Sequence, residues 1–340
     1  MRTVPTCLLA ALILTACAET RAAPGVDEAV DPSIIEIMVT GYTFDAPDEV
    51  PAGWVTYRLN NENGHEIHEV SIARLPEGRT FEEYMEEIIP PWVEVWEGID
   101  SGELDRSGVG ALAGELLPEW NRDISYAGAR GLVSAGRSTS SSYYLEPGSY
   151  VIACWVKTPS GHIHIPLGMA RPLTVTGEAS DHTPPDPDLE ISVVGTEIVV
   201  DGELRPGDRT VRFRVADTDA PANVHLIRMD PETDPEGVVG WMDWYAVGGL
   251  QAPTPADFLG GVSAYGSGLH EGRAYFGVEN VEPGRYAWIV EGPVGERMGL
   301  WEISRCPDRG RERGAARSSR CRRGFDPGLP LPPSYRADLP

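Results

Sequence analysis

The sequence predicts an all-β protein built as two tandem β-sandwiches. Three observations carry that prediction. Runs of alternating β-branched and aromatic residues recur between Pro/Gly turns. Their order in the first half of the chain returns in the second, about 150 residues further on. Helical spacing is confined to short stretches between strands. With 340 residues, 41% of them hydrophobic, the chain can bury more than one core.

The elements follow in order. In "MRTVPTCLLAALILTAC", Arg2 precedes an apolar run from Leu8 to Leu14 and then small residues before Cys17, the layout of an export signal. The run is too short to span a bilayer. Leu14, Thr15, Ala16 and Cys17 resemble the bacterial lipobox. That resemblance implies removal of residues 1–16 and a lipid on Cys17 that anchors the protein to a membrane; a soluble secreted protein cut near Ala18 is the alternative. Residues 17–32, Pro- and Ala-rich, suit a tether.

Residues 33–177 are expected to form the first sandwich. "IIEIMVTGYTFDAPDEVPAGWVTYRLNN" alternates as strands do, and "HEVSIARL" adds a short one. Thr80 and Glu83 have capping-box spacing, and Phe81, Tyr84, Met85 and Ile88 keep helical spacing, with Pro90 and Pro91 expected to end the helix. A Gly-rich excursion with short helices runs from there to about Arg130. Strands resume at "STSSSYYL", turn at Glu146, Pro147 and Gly148, and continue in "SYVIACWV". Residues 178–188, rich in Pro and acids, read as a linker.

The second sandwich is expected over 189–304. "VHLIRM" stands where the first half has "HEVSIARL", and both halves carry an "EPG" turn followed two residues later by a Tyr. The basic tail, 305–340, has no periodicity and is expected to be disordered.

The net charge of −24 argues against nucleic acid as a partner, since an acidic surface repels phosphate. From Arg305 onward there are nine Arg against four Asp or Glu, which leaves 19 basic and 48 acidic residues, or −29, on the rest. A cationic partner, or the tail itself, suits that surface. No GxSxG, HExxH, P-loop or dinucleotide fingerprint is present.

In an exported protein Cys306 and Cys321 can close a small loop, which leaves Cys154 single. It lies in "YVIACWVKTPSGHIHIPLGMARPLTV", a hairpin that also holds His162, His164 and Met169. Taken singly, Cys154 and Met169 are ordinary core residues and the "HIH" pair an ordinary hairpin tip. Together they are the donor types a soft metal selects.

Each copy resembles the cupredoxins, the Greek-key sandwiches that hold blue copper, on the strength of "HEV" in one strand and the Cys, His and Met of the closing hairpin. The resemblance implies one type 1 copper ion, in the first copy only, with His68, Cys154, His164 and Met169 as ligands. His164 is favoured over His162 by its distance from Met169, with four residues between them, and the choice stays open. His68 is preferred to His65, which sits in a turn after Asn63 and Gly64. In the second copy His225 is aligned with His68 and Met298 with Met169, but Ile289 or Val290 stands in place of Cys154 and "EGPVGER" holds no His. That copy is expected to be structural or a docking surface.

The implied function is a lipid-anchored, extracytoplasmic one-electron carrier with a redox partner in the cell envelope. The alternatives are a metal-free cupredoxin-like interaction lipoprotein and a copper storage or delivery protein. An enzyme of the nitrite reductase or multicopper oxidase type is not expected. Ala153 and Trp155 flank Cys154 where such an enzyme has a histidine, and the chain has only seven His.

Overall fold

The first copy begins with two hairpin-forming strands, β1 (Ile34–Thr40) and β2 (Thr43–Asp45), then a long β3 (Glu49–Asn61) and a short β4 (Ser71–Arg74). A helical excursion follows: α1 (Phe81–Glu83), a π turn (Tyr84–Ile88), α2 (Ile89–Ser101), α3 (Arg106–Leu116) and a 3-10 turn (Glu119–Asp123). β5 (Ser125–Ala129), β6 (Arg137–Leu145), β7 (Gly148–Ala153), a 3-10 turn (Ile165–Leu167) and β8 (Ala170–Ala179) close the copy. The second copy runs β9 (Leu189–Val194), β10 (Glu197–Asp201), β11 (Gly207–Ala216), β12 (Asn223–Met229), α4 (Pro235–Met242), β13 (Asp257–Ser263), β14 (Arg273–Val281), β15 (Gly284–Val294) and β16 (Arg297–Cys306). This computed structural model describes residues 34–62, 64–129, 131–216, 223–263, 273–294 and 297–308. The leader, Cys17, Cys7, Cys321 and most of the tail lie outside them.

Both copies share one strand order, and in the first β3 also pairs parallel with β8, which joins its two sheets. One sheet orders β2-β1-β3-β6 in the first copy and β10-β9-β11-β14 in the second, with β1 parallel to β3 and β9 parallel to β11. The facing sheet orders β5-β4-β7-β8 and, correspondingly, β13-β12-β15-β16. The fold is thus all-β, a repeated sandwich. The "EPG" turns have the same construction: Tyr150 Oη donates to the Glu146 carbonyl at 2.8 Å and Tyr286 Oη to that of Glu282 at 2.7 Å. Each is a tyrosine corner, in which a buried ring ties the strand back to the turn that precedes it.

Alternation puts one face of each strand inside. β1 buries Ile35, Ile37 and Val39 and leaves Ile34, Glu36 and Met38 only partly covered, as a period of two requires. The two copies lie in one compact unit and share a sheet: β14 pairs antiparallel with β6, from Tyr275 opposite Ser142 to Val278 opposite Thr139. Arg58 on β3 spans the same junction with a two-nitrogen contact to Glu279, at 2.6 and 2.9 Å.

The capping box forms as spaced, with Glu83 N–H on Thr80 Oγ1 and Thr80 N–H on the Glu83 carboxylate. Pro90 and Pro91 do not end the helical segment, contrary to expectation. The chain passes through the π turn, and both prolines sit in the first turn of α2, where no intrahelical N–H is needed. α2 stops at Gly102 in the left-handed region, φ 75°. The second copy carries its own, shorter excursion, α4, at the corresponding place between β12 and β13.

Register also corrects the alignment of His225 with His68. Arg74 pairs with Tyr150 and Ser71 with Ala153, while Arg228 pairs with Tyr286 and His225 with Ile289. His225 therefore stands at the position of Ser71, and Val290, wholly buried, at that of Cys154. The side chain of Met298 lies outside the described residues.

Candidate metal centre

Cys154 is the first residue past β7, and its backbone N–H donates to the Met169 carbonyl at 3.0 Å as the chain opens into the ligand hairpin. The hairpin returns through His164, whose N–H reaches the Val156 carbonyl and whose own carbonyl accepts from both Leu167 and Met169. Pro166 sits in the tight turn that follows, and Gly168, at φ 123°, brings the chain back close to the Tyr42 carbonyl. A Cβ there would meet that oxygen at 3.0 Å.

His68 comes from the other direction. It lies three residues ahead of β4 instead of opening it, and is fixed by a two-bond bridge to Val133. Buried Asn61 supports this: its Nδ2 donates to the carbonyls of Glu66 and Val133, which clips the turn carrying the histidine to the neighbouring segment.

The three side chains converge. Cys154 Sγ lies 3.8 Å from His68 Nδ1 and 3.5 Å from His164 Nδ1, and the three donor atoms lie within 4.8 Å of one another. Each residue is 2% exposed or less. Met169, fully buried, is nearby. His162, the alternative ligand, is exposed, and its N–H is used by Thr158 Oγ1. His65 is not part of the group.

A carboxylate that the sequence reading missed fixes the tautomer. Glu66 Oε2 lies 3.0 Å from His164 Nε2, and Glu66 Oε1 accepts from the Tyr42 hydroxyl at 3.0 Å. A carboxylate at Nε2 requires the proton there, which leaves the Nδ1 lone pair facing Cys154. The Tyr42 ring lies 4.9 Å from that of His164 and covers it. Nothing in "HEIHEV" marks Glu66 as different from the surrounding acids.

Burial sets the protonation states. It pushes the His68 pKa down to about 3, helped by the neighbouring His164, and the His164 pKa down to about 4. Both rings are therefore neutral at neutral pH, as metal ligands must be. The Cys154 thiol is pushed up, first by burial and then by the Glu69 carboxylate, so it keeps its proton until a cation compensates the thiolate. Two neutral imidazoles with Nδ1 turned toward the thiol, one dry thiol and a thioether beside them fit a type 1 copper ion. Among the described residues no second group of three such donors gathers.

No protein-family model matches the chain, and no curated protein matches it either. Solved structures do. An auracyanin from the photosynthetic bacterium Roseiflexus castenholzii is 23% identical, over 42% of this chain and 97% of its own, with a TM-score of 0.26. Auracyanin A, a blue copper protein of Chloroflexus aurantiacus, is 18% identical over 42% and 98%, with a TM-score of 0.26. A Cu-containing nitrite reductase from Thermus scotoductus is 12% identical over 81% and 61%, with a TM-score of 0.20. By its repeated sandwich and its buried His68, Cys154 and His164, this is an all-β, cupredoxin-like chain with a site that fits type 1 copper.

Proposed function

We propose that the chain is an extracytoplasmic one-electron carrier whose type 1 copper would be held by His68, Cys154 and His164, with Met169 as a further ligand. The observation that carries this reading is the buried donor set: three ligand atoms within 4.8 Å of one another, on residues that are each 2% exposed or less. When bound, copper supplies a centre that gains and loses one electron without binding a substrate.

The chain's own residues do the rest. Glu66 orients His164, the Val133 bridge orients His68, and the burial of all three ligands limits the access of water, so little solvent reorganises as charge changes. Ala153 and Trp155 flank Cys154, so neither neighbour of the cysteine offers a histidine toward a second centre. The leader reading adds a lipid on Cys17 and a place outside the cytoplasm, facing a redox partner of the envelope. Among the described residues no helix is long and apolar enough to cross a membrane.

The test is a copper titration of the purified chain followed by visible absorption and EPR, with Cys154→Ser alongside. An intense thiolate-to-copper band in wild type that is lost in the variant supports the carrier. A colourless protein, or a signal indifferent to the substitution, ends the reading. Mass spectrometry of the mature N-terminus checks the lipid separately.

A further inference from the structure

Lys157 is only 4% exposed, three residues beyond Cys154 in the loop that leads to His164. Its Nζ contacts both carboxylate oxygens of Asp100, each at 2.9 Å. Asp100 lies in the last turn of α2, in the helical excursion, and its Oδ1 also accepts the backbone N–H of Gly248 at 3.0 Å. One carboxylate thus joins the excursion, the ligand hairpin and the second copy.

The backbone repeats the connection. Lys157 N–H donates to the Leu250 carbonyl at 3.0 Å, and Ala252 N–H donates to the Lys157 carbonyl at 2.9 Å. Gln251 Nε2 reaches the Pro159 carbonyl at 2.8 Å. On its other side Lys157 bridges to Ile163, the residue before His164. The Lys157 end of this ion pair is buried and the Asp100 end partly so, and desolvation of the lysine offsets much of the attraction, so the pair adds little stability of its own. What an ion pair supplies is direction: a lysine here can lie in one place only.

We infer that Asp100 and Lys157 are positioning residues that lock the Cys154-to-His164 loop onto the second copy and so preset the spacing of the two ligands. The inference deepens the metal-centre reading and gives the second copy, which lacks a thiolate of its own, a role as the wall against which the ligand loop is held.

The experiment uses the full chain, metal-free, with Lys157→Met, Asp100→Asn and a control, Arg58→Met. The control breaks an ion pair that also links the copies, but between β3 and β14. Iodoacetamide labelling of Cys154 is followed by peptide-resolved mass spectrometry. Opening of the loop exposes the thiol, so both lock variants are expected to label about tenfold faster or more, and the control at the wild-type rate. In copper-loaded samples the lock variants are expected to change the parallel hyperfine splitting and the energy of the thiolate band.

Folded variants, by circular dichroism, that label at the wild-type rate overturn the inference. Equal acceleration in all three variants overturns it too, because the effect is then global. If wild type takes up no copper, the metal-centre reading fails, while the labelling rates still decide whether the lock holds the loop.

Discussion

Replacing Glu66 probes the site directly, because its carboxylate lies in hydrogen-bond reach of a ligand ring. Glu66→Ala removes the 3.0 Å contact to His164 Nε2 and the 3.0 Å bond from Tyr42. A hydrogen bond with one charged partner is worth about 1.5–3 kcal/mol and a neutral one about 1 kcal/mol. The Glu66 side chain is 19% exposed, which discounts the first figure for screening. The expected loss in metal affinity is thus about 10- to 100-fold, or ~1.4–2.7 kcal/mol. Glu66→Gln keeps an acceptor for Nε2–H and loses only the charge, so its loss is smaller, about 3- to 10-fold. Removing a negative charge disfavours the more positive ion, so Cu(II) weakens more than Cu(I) and the potential rises. Competition against a chelator for each oxidation state, with voltammetry, measures all of this. If Glu66→Ala binds both ions within about twofold of wild type, the claim that this carboxylate orients His164 is wrong.

Three other outcomes are expected. Met169→Leu conserves volume in a fully buried position, so unfolding stability should change by less than about 1.5 kcal/mol while the potential shifts; a potential equal to wild type makes Met169 a core filler. Tyr150→Phe loses one corner hydrogen bond, about 1 kcal/mol by urea unfolding, while Tyr286→Phe loses two, because its hydroxyl also accepts the Glu282 N–H at 3.1 Å; a loss at Tyr286 no larger than at Tyr150 refutes this count. Asp105 caps α3 through Gly108 N–H, and its pKa is held below the usual range, first by the Ser107 hydroxyl and then by that N–H. Its stabilising effect is therefore present above the ordinary carboxylate pKa and lost as pH falls through the lowered one. The melting difference between wild type and Asp105→Ala should be full at neutral pH and shrink as pH falls below the ordinary carboxylate range.

Much of the site was legible because its signals are local or chemical. The thiol, the imidazole and the thioether are rare types gathered in one hairpin, and the spacing to Met169 chose His164, which the structure buries, over His162, which it exposes. The capping box was legible for the same reason, being four consecutive residues. Pro90 and Pro91 misled because proline reads as a stop unless it is known to stand in a first turn, and the π turn that places it there has no sequence mark. His225 misled because its equivalence to Ser71 is fixed by pairing with β15, a strand some sixty residues away. Glu66, Asp100 and Lys157 were invisible as site residues. Each matters through a partner brought near only by the fold, and a carboxylate in an acidic chain carries no distinguishing pattern.

The pairing of β6 with β14 has a consequence for how the chain can be divided. Each strand would be the outer strand of its own sheet if the copies stood apart, with a row of unanswered N–H and C=O groups. Along β6 the residues opposite β14 are Thr139, Ser140, Ser141 and Ser142, small side chains that offer little resistance to another strand; Gly277 approaches so closely that a Cβ on it would lie 2.3 Å from Ser140 Oγ. On the β6 side these four residues repel no intruder by charge or bulk. The seam's protection against aggregation is occupancy, supplied in cis by the other copy. A chain severed between residues 178 and 188 would present two sticky borders, each a template for its former neighbour and for its own kind. The duplicate that carries no thiolate is in this sense a permanently attached chaperone for the edge of the one that does.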